Sequence, residues 1–228
     1  GVIGNKVAMV NVADAFGIEL ADVAREKFSA AGFEIVYDKS YPLGTPDLSP
    51  VVKGAKAAAP DAFVAWSYPP DTFALTEQAI IEDLDVRAFY TAVATAFPAY
   101  AGKFGSAVEG NLGAGGVNPE TAAMKDYRKR HLDVTGKAPD FWASATYYSA
   151  LQVLQQAIEG ANTTDRAAVT EYIKNNPFDT VIGPIRFDAH NNSERYWSVG
   201  QWRGGKFVAV ADTGMGDSVA PVAKKGWK

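Results

Sequence analysis

The first hundred residues alternate apolar runs with amphipathic helices, and that alternation leaves few folds open. Lys6 to Val12 (KVAMVNV) is a β-rich run. Asp14 is placed to cap a helix from about Ala15, whose Ile18, Val23 and Phe28 face a core and which Gly32 can stop in the left-handed conformation. Phe33 to Tyr37 is a second strand, 47–59 a helix that tolerates Pro50 in its first turn, Ala62 to Trp66 a third strand, 71–83 a helix, and Ala88 to Val93 a fourth strand. Strands separated by helices pair in parallel through right-handed crossovers, and strands this uniformly apolar need cover on both faces. The expected fold class is α/β, with a doubly wound, mostly parallel sheet.

After Gly110 the pattern changes. The stretch NLGAGGVNP at 111–119 reads as flexible, and three helical segments follow at about 120–132, 140–160 and 165–175. In the middle one Tyr147, Leu151, Leu154 and Ile158 form an apolar stripe that Ala150, Val153 and Ala157 widen, with no strand of its own nearby, so it calls for a sheet or further helices to cover it. The last section gives a turn at Ile182-Gly183-Pro184, a short strand Ile185 to Phe187, and a hairpin of Trp197 to Trp202 and Lys206 to Ala211 joined through Arg203-Gly204-Gly205.

Composition narrows the function. With 22 basic and 26 acidic residues, a net charge of −4 and no block of like charge, the chain has no field to draw in nucleic acid or anionic lipid, so a small-molecule partner is expected. It has no cysteine, and no apolar run nears the ~18 residues of a membrane span. It opens GVIGNK, without an initiator Met or a signal-peptide pattern, so any export signal is expected to have been removed or to lie upstream. Phosphate loops, a nucleophile elbow and zinc motifs are missing, and His131 and His190 have no metal-ligand spacing. No catalytic residue, metal or cofactor is expected.

One stretch asks for a functional explanation. In AFVAWSYPPDTFALTEQA (62–79) a buried-type strand ends in Trp66, Ser67, Tyr68 and two prolines, where a plain connection would use small polar residues. Together with KVAMVNVADAFGIELADVAREKFSAAGFEIV, KFGSAVEG (103–110), YYSALQVLQQAIEGA (147–161) and FDTVIGPIRFD (178–188), it resembles the type I periplasmic solute-binding proteins, in particular the branched-chain amino acid branch of the ABC-transporter substrate-binding family. The order and spacing of these stretches cover nearly the whole chain. Family members are longer and begin with a lobe that this chain lacks. The resemblance therefore implies a ligand-binding lobe from 1–116 and 195–228, and a helical segment, 117–194, that belongs with the missing lobe. It places the crossings between lobes at 113–119 and about 188–195, with possible self-association through uncovered helices.

The resemblance also implies a function: capture of a small organic acid or amino acid in an interlobe cleft, outside the cytoplasm, and delivery to an ABC permease without direct membrane insertion. The location implied is the periplasm, or a membrane tether in a single-membrane bacterium. Ligand sites in open α/β sheets lie at the carboxyl ends of strands. The implied ligand-binding residues are Phe16 after the first strand, Trp66, Ser67 and Tyr68 after the third, and Val93 and Thr95 after the fourth. For Phe16 the alternative is packing on the sheet. The helix from about Asp71 would offer free N–H groups to a carboxylate. Branched-chain amino acid binders use a glutamate after the fourth strand to meet the ligand's ammonium group, whereas Ala92 to Thr95 contains no acid. That departure suggests a flat or aromatic carboxylate, because an unpaired buried ammonium is penalised by several kcal/mol. A sensor domain of the same fold and an enzyme on a flavodoxin-like lobe stay open as alternatives.

Overall fold

A computed structural model of the chain describes residues 4–115, 117–193, 198–212 and 218–227. They form two compact units. Of the described residues, the first comprises 4–114, 200–207 and 220–227, the second 115, 117–193, 198–199, 208–212 and 218–219.

The strands β1 (Lys6–Val12), β2 (Glu34–Tyr41), β3 (Ala62–Trp66) and β4 (Ala88–Thr91), all within the first unit, and β5 (Leu112–Gly115) precede β8 (Ser198–Arg203) and β9 (Lys206–Asp212), and the sheet order is β2-β1-β3-β4-β5-β8-β9. The pairs β1–β2, β1–β3, β3–β4 and β4–β5 are all parallel. Helices α1 (Ala15–Ala30), α2 (Ser49–Ala57) and α3 (Pro69–Ile81) supply the crossovers. Period-two alternation divides the strand side chains between two faces. Ala8, Val10, Val12, Phe63, Ala65 and Phe89 pack with Val52, Ala55, Leu75 and Ala79 of α2 and α3. Val7, Met9, Val64, Trp66 and Tyr90 face the other way, with Ala21 and Ala24 of α1 packing against Met9. The sheet is therefore covered on both faces, as the apolar strands require.

Several boundaries differ from the sequence expectation. β2 runs to Tyr41 because it is an edge strand and its polar Asp38, Lys39 and Ser40 need no burial. A helix α4 (Pro98–Phe104), flanked by two 3₁₀ turns, fills 94–108. The glycine-rich stretch read as flexible holds β5. A Cβ at Gly113 would meet the Thr95 side chain at 2.6 Å, so glycine there permits a close approach of backbone and is no sign of a loop. The hairpin turn is as expected, with Gly204 at φ 56° and Gly205 at φ 74°, the conformation of a two-residue primed turn. The expected hairpin start at Trp197 and the crossing at Arg195 lie outside the described residues.

The chain's last residues strap the first unit. Trp227 donates its indole N–H to Leu84 O (2.9 Å) and meets Phe89 edge to face at 4.9 Å, while Val222 and Gln201 exchange backbone–amide bonds. Lys224 is buried: its ammonium donates to Ala107 O and Glu109 O and lies 4.0 Å over the Trp227 ring. Burial holds its pKa down to about 8, against the pull of Glu109 and Asp85. An unfolded lysine titrates near ~10.4, so between those values the folded chain carries fewer protons than the unfolded one, and stability rises with pH through that window. Below about pH 8 the contribution is flat. Melting curves should show wild type gaining on Lys224→Met between pH 8 and ~10.4; a difference that is constant or reversed there would show that the ammonium is not desolvated.

The second unit contains α5 (Ala122–Thr135), α6 (Ser144–Ala161), α7 (Arg166–Asn175) and an antiparallel pair, β6 (Phe178–Thr180) and β7 (Gly183–Ile185). This pair replaces the expected strand at 185–187 and gives α6 strands of its own nearby, contrary to the sequence reading. The side-chain amides of α6 bind its backbone: Gln156 exchanges bonds with Asp179 (2.8 and 3.2 Å) and Gln152 accepts from Val181 N (2.9 Å). Ala145, Val153 and Ala157 bury the inner face of α6 with Phe178, Val181 and Ile182. The outer face stays open, with Tyr147 74%, Leu151 65% and Leu154 45% exposed.

Candidate functional site

The carboxyl ends of β1, β2, β3 and β4 bring one cluster together in the first unit. β1 ends at Val12, and α1 starts almost at once because Asp14 caps it, accepting Gly17 N–H at 2.9 Å. A Cβ at Gly17 would fall 2.0 Å from Val12 O, so the tight strand-to-helix turn requires glycine. The turn sets Phe16 at the edge of the sheet, where it stacks on Tyr68 from the loop after β3, with ring centroids 4.9 Å apart and planes inclined by 24°. The second oxygen of Asp14 accepts the Tyr68 hydroxyl at 2.8 Å. That bond spans 54 residues of sequence and ties the two loops.

Tyr68 is also held from below. Its extended backbone caps α3, which begins at Pro69 rather than near Asp71. The first two positions of α3 are prolines without N–H groups, and Asp71, in its first turn, lies near the Tyr68 main-chain N–H. The expected N–H groups for a carboxylate are therefore reduced at this helix. Asp71 is only 6% exposed; burial raises its pKa, the nearby Tyr68 main-chain N–H and Tyr41 hydroxyl oppose the rise, and Asp14 adds to it. Tyr41, at the end of β2, is buried beside it, and burial with the Asp71 charge pushes its phenol far above the ordinary range. The two groups feel each other without a hydrogen bond of ordinary geometry, leaving Asp71 Oδ2 and the Tyr41 hydroxyl unpartnered.

The six sequence-predicted residues divide. Phe16 and Tyr68 meet as a partly exposed stacked wall. Trp66 points to the other sheet face, edge to face with Tyr90 at 5.5 Å and against Met9, Ala21 and Ala24, with a buried indole nitrogen. Ser67 is fully buried and bonds Thr72 Oγ1 (2.8 Å), which in turn donates to Ala92 O (2.7 Å). Thr95 is fully buried, bonded to Thr91 through both its hydroxyl and carbonyl, and its own carbonyl accepts the Trp202 indole N–H at 2.7 Å. Val93 is buried with φ 63° and ψ −84°, a region that costs a β-branched residue about 1–3 kcal/mol and that occurs mainly at functional sites. Asp14, Tyr41 and Asp71 were missed as site residues. The available signal was an acid at each helix start directly after a strand.

The second unit has an apolar hollow of 420 Å³ between α6 and the segment 182–193, lined by Ala150, Val153, Ile173, Ile182, Ile185 and Phe187 among others. Among the described residues no group of three or more His, Cys, Asp or Glu could hold a metal, and no helix is long and apolar enough to cross a membrane.

Residues 2–206 match the model of a family described as periplasmic binding protein. A Leu/Ile/Val-binding protein homologue of Brucella abortus is 25% identical over 217 residues, covering 90% of this chain and 54% of its own length. The chain thus spans about half the length of the curated relatives it matches. Among solved structures, a leucine-binding protein from Thermotoga maritima superposes with a TM-score of 0.77 at 24% identity, covering 91% of this chain and 61% of the other. A solute-binding protein of an ABC transporter from R. palustris, solved in complex with benzoate, superposes with a TM-score of 0.80 at 16% identity over 96% and 61%. At these identities the superpositions establish the fold.

Proposed function

Since the chain belongs to the periplasmic binding protein family, whose members bind small molecules and are not enzymes, we propose that it is part of an extracytoplasmic solute-binding protein that captures a small organic acid and delivers it to an ABC permease. The observation that carries the reading is the Phe16–Tyr68 stack at the carboxyl edge, the place where open α/β sheets hold ligands. The wall is flat, aromatic and fixed by Asp14, and it suits a planar ring.

Charge decides which end of the ligand meets it. The loops after β1 to β4 carry no lysine or arginine, and Asp14, Asp47 and Asp71 lie in or next to them. A carboxylate is disfavoured against this edge, so the ligand's acid group is held by the rest of the protein and its ring lies on Phe16 and Tyr68. An aromatic carboxylate fits best, and the benzoate complex of the R. palustris neighbour supports that choice. An amino acid is the second reading. Ala92–Thr95 offers no acid to an ammonium group, yet Asp14 is partly exposed and carries the charge that the fourth-strand loop lacks. A thermal-shift panel of benzoate, 4-hydroxybenzoate, phenylalanine and leucine on the full-length protein separates the readings. Stabilisation by the aromatic acids is expected; stabilisation by leucine alone would contradict the first.

The domain plan follows the same reading. The open stripe of Tyr147, Leu151 and Leu154 is too apolar for water, and we propose that a lobe formed by further chain covers it, as the length of the relatives suggests. Amino-acid labelling by hydroxyl radicals should find Leu151 protected in the full-length protein; free labelling would contradict this.

A further inference from the structure

Tyr68 is held at both ends: its main-chain carbonyl accepts Thr72 N–H at 2.8 Å in the first turn of α3, and its hydroxyl is held by a carboxylate. Asp14 holds its hydroxyl at 2.8 Å while using its other oxygen, at 2.9 Å, to cap α1. The capping bond fixes the first turn of α1 and with it Phe16; the hydroxyl bond fixes the Tyr68 ring at the height of Phe16. A tyrosine at a loop tip ordinarily exchanges rotamers within nanoseconds, and a ligand that must order it loses part of its binding energy in doing so.

We propose that Asp14 is the positioning residue of the ligand wall: one side chain couples the loops after β1 and β3 and holds Phe16 and Tyr68 in their stack before ligand arrives. The inference rests on the proposed ligand site. Its content is separate, because a wall of the same two rings could equally assemble only on binding.

Asp14→Ser keeps a good capping oxygen for Gly17 but has no second oxygen for Tyr68. Asp14→Asn keeps the cap and can turn its amide N–H toward the Tyr68 oxygen. Tyr68→Phe removes the hydroxyl and keeps the ring. The probe is benzoate, titrated calorimetrically into the full-length protein. Asp14→Ser and Tyr68→Phe should each weaken binding about 5- to 10-fold, the double variant no more than either alone, and Asp14→Asn less than about 3-fold, with melting temperatures close to wild type. An independent readout needs no ligand. The difference in phenol titration between wild type and Tyr68→Phe isolates Tyr68, whose pKa is raised by the bond to Asp14 and should fall back in Asp14→Ser. Wild-type affinity in Asp14→Ser, or additive losses in the double variant, would overturn the inference and leave the ligand site standing. Failure of wild type to bind benzoate would overturn the aromatic-ligand reading and this inference with it.

Discussion

Trp66→Ala is expected to cost about 3 kcal/mol of stability, at the lower end for a large aromatic because the side chain is partly exposed. Affinity in the folded fraction should stay nearly unchanged. The ring packs on Met9, Ala21 and Ala24 and edge to face on Tyr90, and its nitrogen is buried away from the edge where Phe16 and Tyr68 stand. A melting curve beside a calorimetric titration of the same variant checks both halves. A large loss of affinity with an unchanged melting temperature would place Trp66 in the ligand wall after all.

Tyr68→Ala should behave in the opposite way. A ligand ring covered by this side chain gains roughly 1.5–3 kcal/mol, so its removal should weaken binding by about 10- to 100-fold. Stability should change little, because the ring is partly exposed and the backbone carbonyl still accepts Thr72 N–H. Equal affinities for the variant and wild type would remove the wall from the ligand site. The two variants differ by two positions in sequence and by a sheet face in space: strand alternation would put both on one face, but β3 ends at Trp66 and the chain turns into α3 at Tyr68, which carries that ring to the other side.

The fold was legible wherever local pattern and tertiary environment agree. The apolar strands β1, β3 and β4 and the capped ends of α1 follow from runs, caps and stops that each act within a few residues, but the buried face of α1 does not: Ala21 and Ala24 pack inward, while Ile18 and Val23, expected to face the core, are 48% and 52% exposed. β5 was illegible because Gly113 is required by the approach of Thr95, a contact no local rule contains. The pairing of α6 with β6 and β7 was hidden for the same reason, since Gln152 and Gln156 look like ordinary exposed helix residues until the hairpin meets them. The candidate site divides along the same line. Phe16 and Tyr68 are visible as aromatics just beyond strand ends. Ser67 and Thr95 look like polar groups for a ligand, but the nearby hydroxyls of Thr72 and Thr91 take them instead. Asp14 reads as a helix start, and its second role appears only when Tyr68 is brought beside it across the sheet.

The central claim is that a small organic solute rests against the carboxyl edge of the first unit, on the wall of Phe16 and Tyr68. The most direct test is a crystal structure of the full-length protein with its ligand bound. The account predicts the ligand in van der Waals contact, within about 4 Å, of both rings, with no carboxylate oxygen bonded to Asp14 or the start of α3. A ligand seated instead in the hollow beside α6, or against Trp66 with Phe16 and Tyr68 untouched, would contradict it.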